Sequence, residues 1–329
     1  MKRFVVAALA CVCLFALQAS AQEVYTTLLE EKTVTVGDFS SLSVSDDFEV
    51  TLAKGACSAR VTTDKVLAPY VQVYVRSKTL FISYDEKAVP KDVKKLFKGR
   101  KAPDPVFRVV VFLPHLSGIE LSDNAALTSV DELSGNQVSI NLTDKALIKS
   151  LKLNADDITV RAKKNSQASM NLDIMGKADL GSEGNAALKV SSKSGELMAN
   201  VAGSSKLTLV TECRKAVFNT GATAKVTADP KASESVEVHM SGSSELVLSG
   251  ETPLLLIRAE KNTELDAAAL KALKVDAQMS GSSNAEVNAV EDIDATLVGG
   301  SSLYYTGTPA IRIGKIIKST LAPHGSSAK

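Results

Sequence analysis

The sequence predicts an all-β chain folded as a right-handed parallel β-helix-like solenoid of about ten coils of roughly 20 residues, preceded by an N-terminal β cap. Three observations carry that reading. Corners rich in Gly, Ser and Asn return at a near-constant interval, among them Gly203-Ser204-Ser205, Gly242-Ser243-Ser244, Gly281-Ser282-Ser283 and Gly299-Gly300-Ser301. Apolar residues stand at fixed offsets from those corners. Aromatics are only 5% of the chain and Trp is absent, which suits short strands and a thin interior better than a thick globular core.

The corners are placed at Asp123, Asp144, Lys164, Ser182, Gly203, Thr220, Gly242, Lys261, Gly281 and Gly299, a mean spacing of about 20 residues. Two residues before each corner stand Leu121, Leu142, Ala162, Leu180, Val201, Phe218, Met240, Ala259, Met279 and Leu297. The positions four before and four after are equally apolar. Between them, three before the corner, the residues are Glu120, Asn141, Arg161, Asp179, Asn200, Val217, His239, Arg258, Gln278 and Thr296, polar apart from Val217. Such alternation is the mark of half-buried strands. A single coil cannot bury its apolar edge, but coils stacked about 4.8 Å apart pair their backbones and share one interior.

Residues 1–21 read as a secretory signal peptide, with Lys2 and Arg3, an apolar run from Phe4 to Leu17, and Ala19-Ser20-Ala21 as cleavage site. Export of a mature chain starting at Gln22 is expected, to the periplasm or the cell surface, with no transmembrane segment after cleavage. Residues 22–118 lack the beat and are expected to form the β cap that closes one end of the stack. Within them Pro90 to Gly99 has the pattern of a short surface helix, with Val93, Leu96 and Phe97 on one face. Residues 119–313 hold the repeats, and 314–329 read as a mobile polar tail.

Several features together resemble the head-GIN-domain family of putative auto-transporter adhesins, common in Bacteroidetes. They are Gly37-Asp38-Phe39-Ser40-Ser41-Leu42-Ser43-Val44, the Ser-Gly-Ser-Ser corners at 241–244 and 280–283, and the closing Tyr305-Thr306-Gly307-Thr308-Pro309. The resemblance implies an exported β-helical protein without established chemistry, and it carries over no catalytic residue. This chain departs from the pattern in its preference for Ser-Ser at corners, its extra rungs and its basic insertion. The stretch after the last rung is too short and too polar for the membrane barrel of an auto-transporter.

Net charge is +1, from 38 basic and 37 acidic residues, which gives no global attraction to nucleic acid. A β-helical lyase or hydrolase would need carboxylates clustered on neighbouring rungs. Asp156-Asp157 and Asp292-Ile293-Asp294 are the tight acidic groups within the repeats, and their aligned neighbours are not acidic. His115, His239 and His324 are scattered, so no triad, metal site or cofactor is expected. Cys57 and Cys213 survive signal removal, and the sequence leaves open whether they pair.

The expected function is therefore a non-enzymatic, adhesin-like binding or structural module, with a β-helical carbohydrate-active enzyme as the alternative. Two features offer contact with an envelope or host glycan or protein. One is the column of Ser and Thr hydroxyls at the corners, which turn chemistry alone would also explain. The other is the basic insertion, where Lys91, Lys94, Lys95, Lys98, Arg100 and Lys101 are candidate residues for an anionic partner and a solvated loop is the plain alternative.

Overall fold

The computed structural model describes residues 28–325, so the signal sequence expected over 1–21 lies outside them. The chain opens with β1 (Leu29–Val34), β2 (Ser41–Val44), β3 (Glu49–Lys54) and β4 (Ser58–Asp64). The hairpin strands β5 (Val71–Arg76) and β6 (Thr79–Tyr84) follow, then helix α1 (Lys91–Leu96) and β7 (Phe107–Leu113). The repeats run through β8 (Gly118–Leu121), β9 (Ala126–Leu142), β10 (Leu147–Ala162), β11 (Gln167–Ile174), β12 (Lys177–Ser182) and β13 (Ala187–Val201). They continue through β14 (Lys206–Thr220), β15 (Lys225–Met240), β16 (Glu245–Ala259), β17 (Glu264–Met279) and β18 (Asn284–Val298) to β19 (Ser302–Thr306), β20 (Ala310–Ile317) and β21 (Thr320–Pro323). The result is a β-solenoid of about ten turns with parallel pairing.

Each long strand joins the second half of one coil to the first half of the next, and left-handed residues mark the corners between them. Those corners fall at Asp123, Asp144, Lys164, Gly184, Gly203, Ala222, Gly242, Lys261, Gly281 and Gly299. Two of the expected corners, Ser182 and Thr220, therefore move two residues on, to Gly184 and Ala222. The shift left every inward assignment standing, because a displacement of two residues keeps a strand side chain on the same face. Leu180, Ala186, Phe218 and Ala224 are all buried. It does bring Ser182 and Thr220 into the interior, at 4% exposure each, beside the apolar Val201 and Met240.

The second Ser of the corners belongs to the core. Ser166, Ser205, Ser244 and Ser283 lie two residues after the left-handed position, fully covered. Each donates its hydroxyl to the carbonyl three residues back: Ser166 to Lys163 at 2.8 Å, Ser244 to Ser241 at 3.1 Å, Ser283 to Ser280 at 2.9 Å, and Ser205 to Ala202. A hydroxyl so placed satisfies a turn carbonyl that the strand ladder cannot reach.

The first coils are out of chain order. Strand β2 pairs in parallel with both β6 and β8, and β3 with both β7 and β9, so β2–β3 lies between coils that follow it in sequence. Its corner is Asp46, left-handed like Asp123, and Leu42, Val44 and Val50 occupy the same buried offsets as in the repeats. The region expected to be cap thus contributes coils as well. The closure itself is antiparallel: β5 lies on β6 through a turn with Ser77 and Lys78 both at positive φ, and β4 lies between β7 and β1. The expectation of a polar tail from Gly314 needs correction. Strands β20 and β21 form another coil on β18 and β19, turning at Lys318 (φ 51°). Its apolar residues, spaced by a bulge, did not keep the repeat's offsets, and so escaped the pattern.

Helix α1 occupies the expected place, with Val93 and Phe97 packed on the core and Gly99 at positive φ beyond its end. Cys57 and Cys213 are both free: Cys57 sits between β3 and β4 at the capped end, and Cys213 is buried in β14. Burial pushes the Cys213 thiol up to about 11. No helix among the described residues is long and apolar enough to cross a membrane.

Candidate functional site: a polar groove along the coil face

An open groove of about 670 Å³ runs along the outer face beside the corners. Its floor is the position three before each corner, which presents Arg161, Gly181, Asn200, Asn219, His239 and Arg258 on successive coils. One wall comes from the position just before the corner, including Lys163, Glu183, Ser241 and Glu260. Parallel pairing without slippage along these half-strands repeats one kind of position at rung spacing, about 4.8 Å.

The floor is wired along the stack. Arg161 donates from Nη2 to Asp179 Oδ2 at 2.7 Å and from Nη1 to its neighbour's carbonyl, Val160, at 2.9 Å. Asn200 donates to the other oxygen of Asp179 at 3.1 Å, and Asn219 donates to Asn200 Oδ1 at 2.8 Å. At the far end Arg258 donates to Asp276 Oδ1 at 3.2 Å and to Ile257 O at 3.0 Å. Among the described residues, neither Asn219 Oδ1 nor the exposed His239 ring has a hydrogen-bond partner. Gly181 is buried beneath the Arg161 side chain and makes room for it: a Cβ there would stand 2.9 Å from Arg161 Cδ. The groove thus offers fixed amides, a free imidazole and two oriented guanidinium groups over a low floor.

Chemistry needing two free carboxylates finds no matching arrangement here. Asp179 and Asp276 are tied to arginines, and Glu183 stands 3.9 Å from Lys163. The acidic groups singled out in the sequence are engaged elsewhere: Asp157 accepts from the Lys177 N–H at 2.8 Å, Asp292 pairs with Lys274 at 3.4 Å, and Asp294 with Arg312 at 3.2 Å. Contrary to the expectation of no acidic neighbour, Asp294 is aligned with Asp276 on the coil before it, each held by its own arginine. Among the described residues no group of His, Cys, Asp and Glu is arranged to hold a metal ion.

Sequence reasoning had the groove column in hand, since Arg161, Asn200, His239 and Arg258 stood in the outward offset. The two displaced corners put Asp179 and Val217 where Gly181 and Asn219 belong. That hid both the Gly181 seat under Arg161 and the Asn200–Asn219 pair.

The structure divides the basic insertion. Lys94 is half-buried and 3.5 Å from Glu86, and with Lys98 it lines a hollow that also holds Asp46, Asp47 and Asp123. Lys91, Lys95, Arg100 and Lys101 are exposed. The corner hydroxyls divide too. The buried second Ser is spent inside the turn, whereas the first position is outward, with Ser204 bonded to Thr223 at 2.9 Å and Asn185 to Asn165 at 3.2 Å.

Solved structures similar to this chain include a putative adhesin from Parabacteroides merdae, 18% identical, covering 90% of this chain and 95% of that one with a TM-score of 0.37. A putative adhesin from Parabacteroides distasonis is also 18% identical, with coverage of 91% and 98% and a TM-score of 0.34. A protein described as a putative lipid binding protein from the same species is 14% identical, with coverage of 90% and 96% and a TM-score of 0.29. No curated protein matches the chain. The family described as "Putative auto-transporter adhesin, head GIN domain" matches residues 38–232 and again 171–309, more than half of the sequence, and the chain belongs to it.

Proposed function

We propose that this protein is an exported envelope or surface binding module without turnover, and that its groove holds an extended, polyhydroxylated ligand: a glycan strand. The observation that carries the reading is the Asn200–Asn219–His239 row, with an unpartnered amide oxygen and an unpartnered imidazole on adjacent coils between Arg161 and Arg258. A peptide strand is recognised mainly through backbone bonds at a sheet edge. The groove lies on a sheet face whose backbone is already paired coil to coil, so recognition falls to side chains. Side-chain amides, each both donor and acceptor, match hydroxyl groups better than they match a fixed charge. Lack of an aromatic platform in the groove points to modest affinity, gained by repetition along the strand.

The test is titration of the mature protein against neutral and acidic oligosaccharides, with Asn219→Leu alongside and product analysis after long incubation. Binding that falls about tenfold in Asn219→Leu, as expected for the loss of one or two hydrogen bonds, supports the reading. Equal binding by both proteins, or release of shortened saccharide, overturns it.

A second reading places an anionic polymer on Lys91, Lys94, Lys95, Lys98, Arg100 and Lys101. It is favoured by the exposure of Lys91, Lys95, Lys98, Arg100 and Lys101 on one segment of an otherwise neutral chain.

A further inference from the structure

The two ends of the solenoid differ. At the first end the outermost strands, β1 and β5, are antiparallel to their neighbours, whereas at the other β20 is a parallel rung of the coil stack with a free edge: among the described residues it pairs with β18 and with no other strand. Its inward positions continue the core columns without a lid. Ile293 and Ala295 are 0% and 2% exposed, but their partners one coil on, Ile311 and Ile313, are 40% and 56% exposed. The strand's outward positions are basic. Arg312, Lys315 and the corner Lys318 are exposed, and the whole segment from Ala310 to Pro323 contains no Asp or Glu.

We infer that the β20 edge is a docking site for an extended chain segment of another protein that alternates apolar with acidic residues and adds to the sheet as one more strand. Three properties of the edge select this occupant. Unpaired backbone N–H and C=O groups demand a strand, since a lipid surface would leave them unsatisfied at a cost of several kcal/mol each. The uncovered Ile311 and Ile313 require apolar side chains on the incoming strand's inner face. The cations on the outer face require acids between them. Arg312 already has Asp294 on the coil below, at 3.2 Å, and an acid on the coil above would continue that ladder.

A second copy of this chain fits poorly. Pairing of β20 with β20 brings together two strands that carry cations and no carboxylate to match them. At the opposite end the free edge of β5 carries Arg76 and no acid, and the free edge of β1 carries Glu30 and Glu31 but alternates no apolar face with them, Glu31 being already 3.5 Å from Arg60.

The probe is a labelled synthetic peptide of alternating isoleucine and aspartate, the length of β20, followed by fluorescence anisotropy. A control peptide has lysine in place of aspartate. The protein variants are Lys315→Glu/Lys318→Glu, with melting measured to confirm the fold. The aspartate peptide should bind the parent and protect the Ala310–Ile317 amides from hydrogen exchange. Its affinity should drop about tenfold in the double variant, the loss expected from a few cross-strand charge pairs turned repulsive, and the lysine peptide should then bind better. The proposal is overturned if the aspartate peptide does not bind the parent, or binds the double variant equally. It is likewise overturned if sedimentation shows a dimer that Ile313→Lys dissolves, which would make a second copy the occupant. Binding to phosphatidylglycerol vesicles that the peptide cannot compete away would assign the edge to a lipid surface instead.

Discussion

Asn219 donates its amide hydrogen to Oδ1 of Asn200, one coil away, at 2.8 Å, and Asn200 in turn donates to Asp179 at 3.1 Å. Because Asp179 also holds Arg161, four side chains on neighbouring coils are linked as one hydrogen-bonded row.

Gly181→Leu tests that linkage. The new side chain would displace Arg161, whose Cδ lies 2.9 Å from the position of a Cβ, and would take its place over the buried Gly181. Arg161 is a flexible, partly exposed neighbour, so melting should change by no more than about 1 kcal/mol. Saccharide binding should be lost; retention of full affinity would show that the groove's Arg161 end is not used.

Met279→Asp and Gln278→Asp separate the two faces of β17. Met279 is 2% exposed, and a carboxylate there should cost about 3 kcal/mol or more. Gln278 is exposed, so the same change should cost within roughly half a kcal/mol. Denaturant melts of the two variants give the comparison, and equal losses would contradict the observed facing.

At the corners, Gly242→Ala should destabilise by about 1–3 kcal/mol, since its Cβ would stand 2.7 Å from the Ala222 carbonyl oxygen and φ is 80°. Lys261 already holds a left-handed φ of 70°, so Lys261→Gly should be neutral or stabilising by up to about 1 kcal/mol. Thermal melts that rank the two the other way would mean that corner strain does not limit stability.

If the basic insertion is the partner site, replacing Lys94, Lys95, Lys98 and Lys101 with Gln should weaken binding to anionic polymers, and parent binding should fall with salt. Screening at physiological ionic strength leaves a reach of about 8 Å, so clustered lysines act together there and isolated charges on the coils do not. Lys94 touches only Glu86 among carboxylates within ion-pair distance, so the melting temperature should hold. Equal binding by parent and variant on whole cells would remove the insertion from consideration.

Alkylation should reach Cys57 long before Cys213, because the Cys213 thiol is buried and its pKa is raised to about 11. The sign follows from linkage: a thiol whose folded value lies above its unfolded value favours the folded state at neutral pH, and that contribution is lost as pH rises through about 11. Mass spectrometry after brief iodoacetamide treatment checks the order. An intramolecular disulfide, or modification of Cys213 first, would contradict the placement of the two thiols.

Coil length, interior columns and the polar outward column are all legible in the amino-acid order, because stacked coils repeat one environment at one offset and a strand alternates with a period of two. The same period made it blind to a two-residue slip, so Ser182 and Thr220 passed for corners until backbone φ placed the turns at Gly184 and Ala222. Only the tertiary structure could put β2–β3 between β6–β7 and β8–β9, since pairing across a long insertion leaves no interval to read. It alone decided that Lys94 meets Glu86 while Lys91, Lys95 and Lys98 stay exposed, and that Ser205 is inside while Ser204 is outside. Whether a polar side chain is held or offered depends on which neighbours the stacked coils bring to it, and no residue carries that information in its own position along the chain.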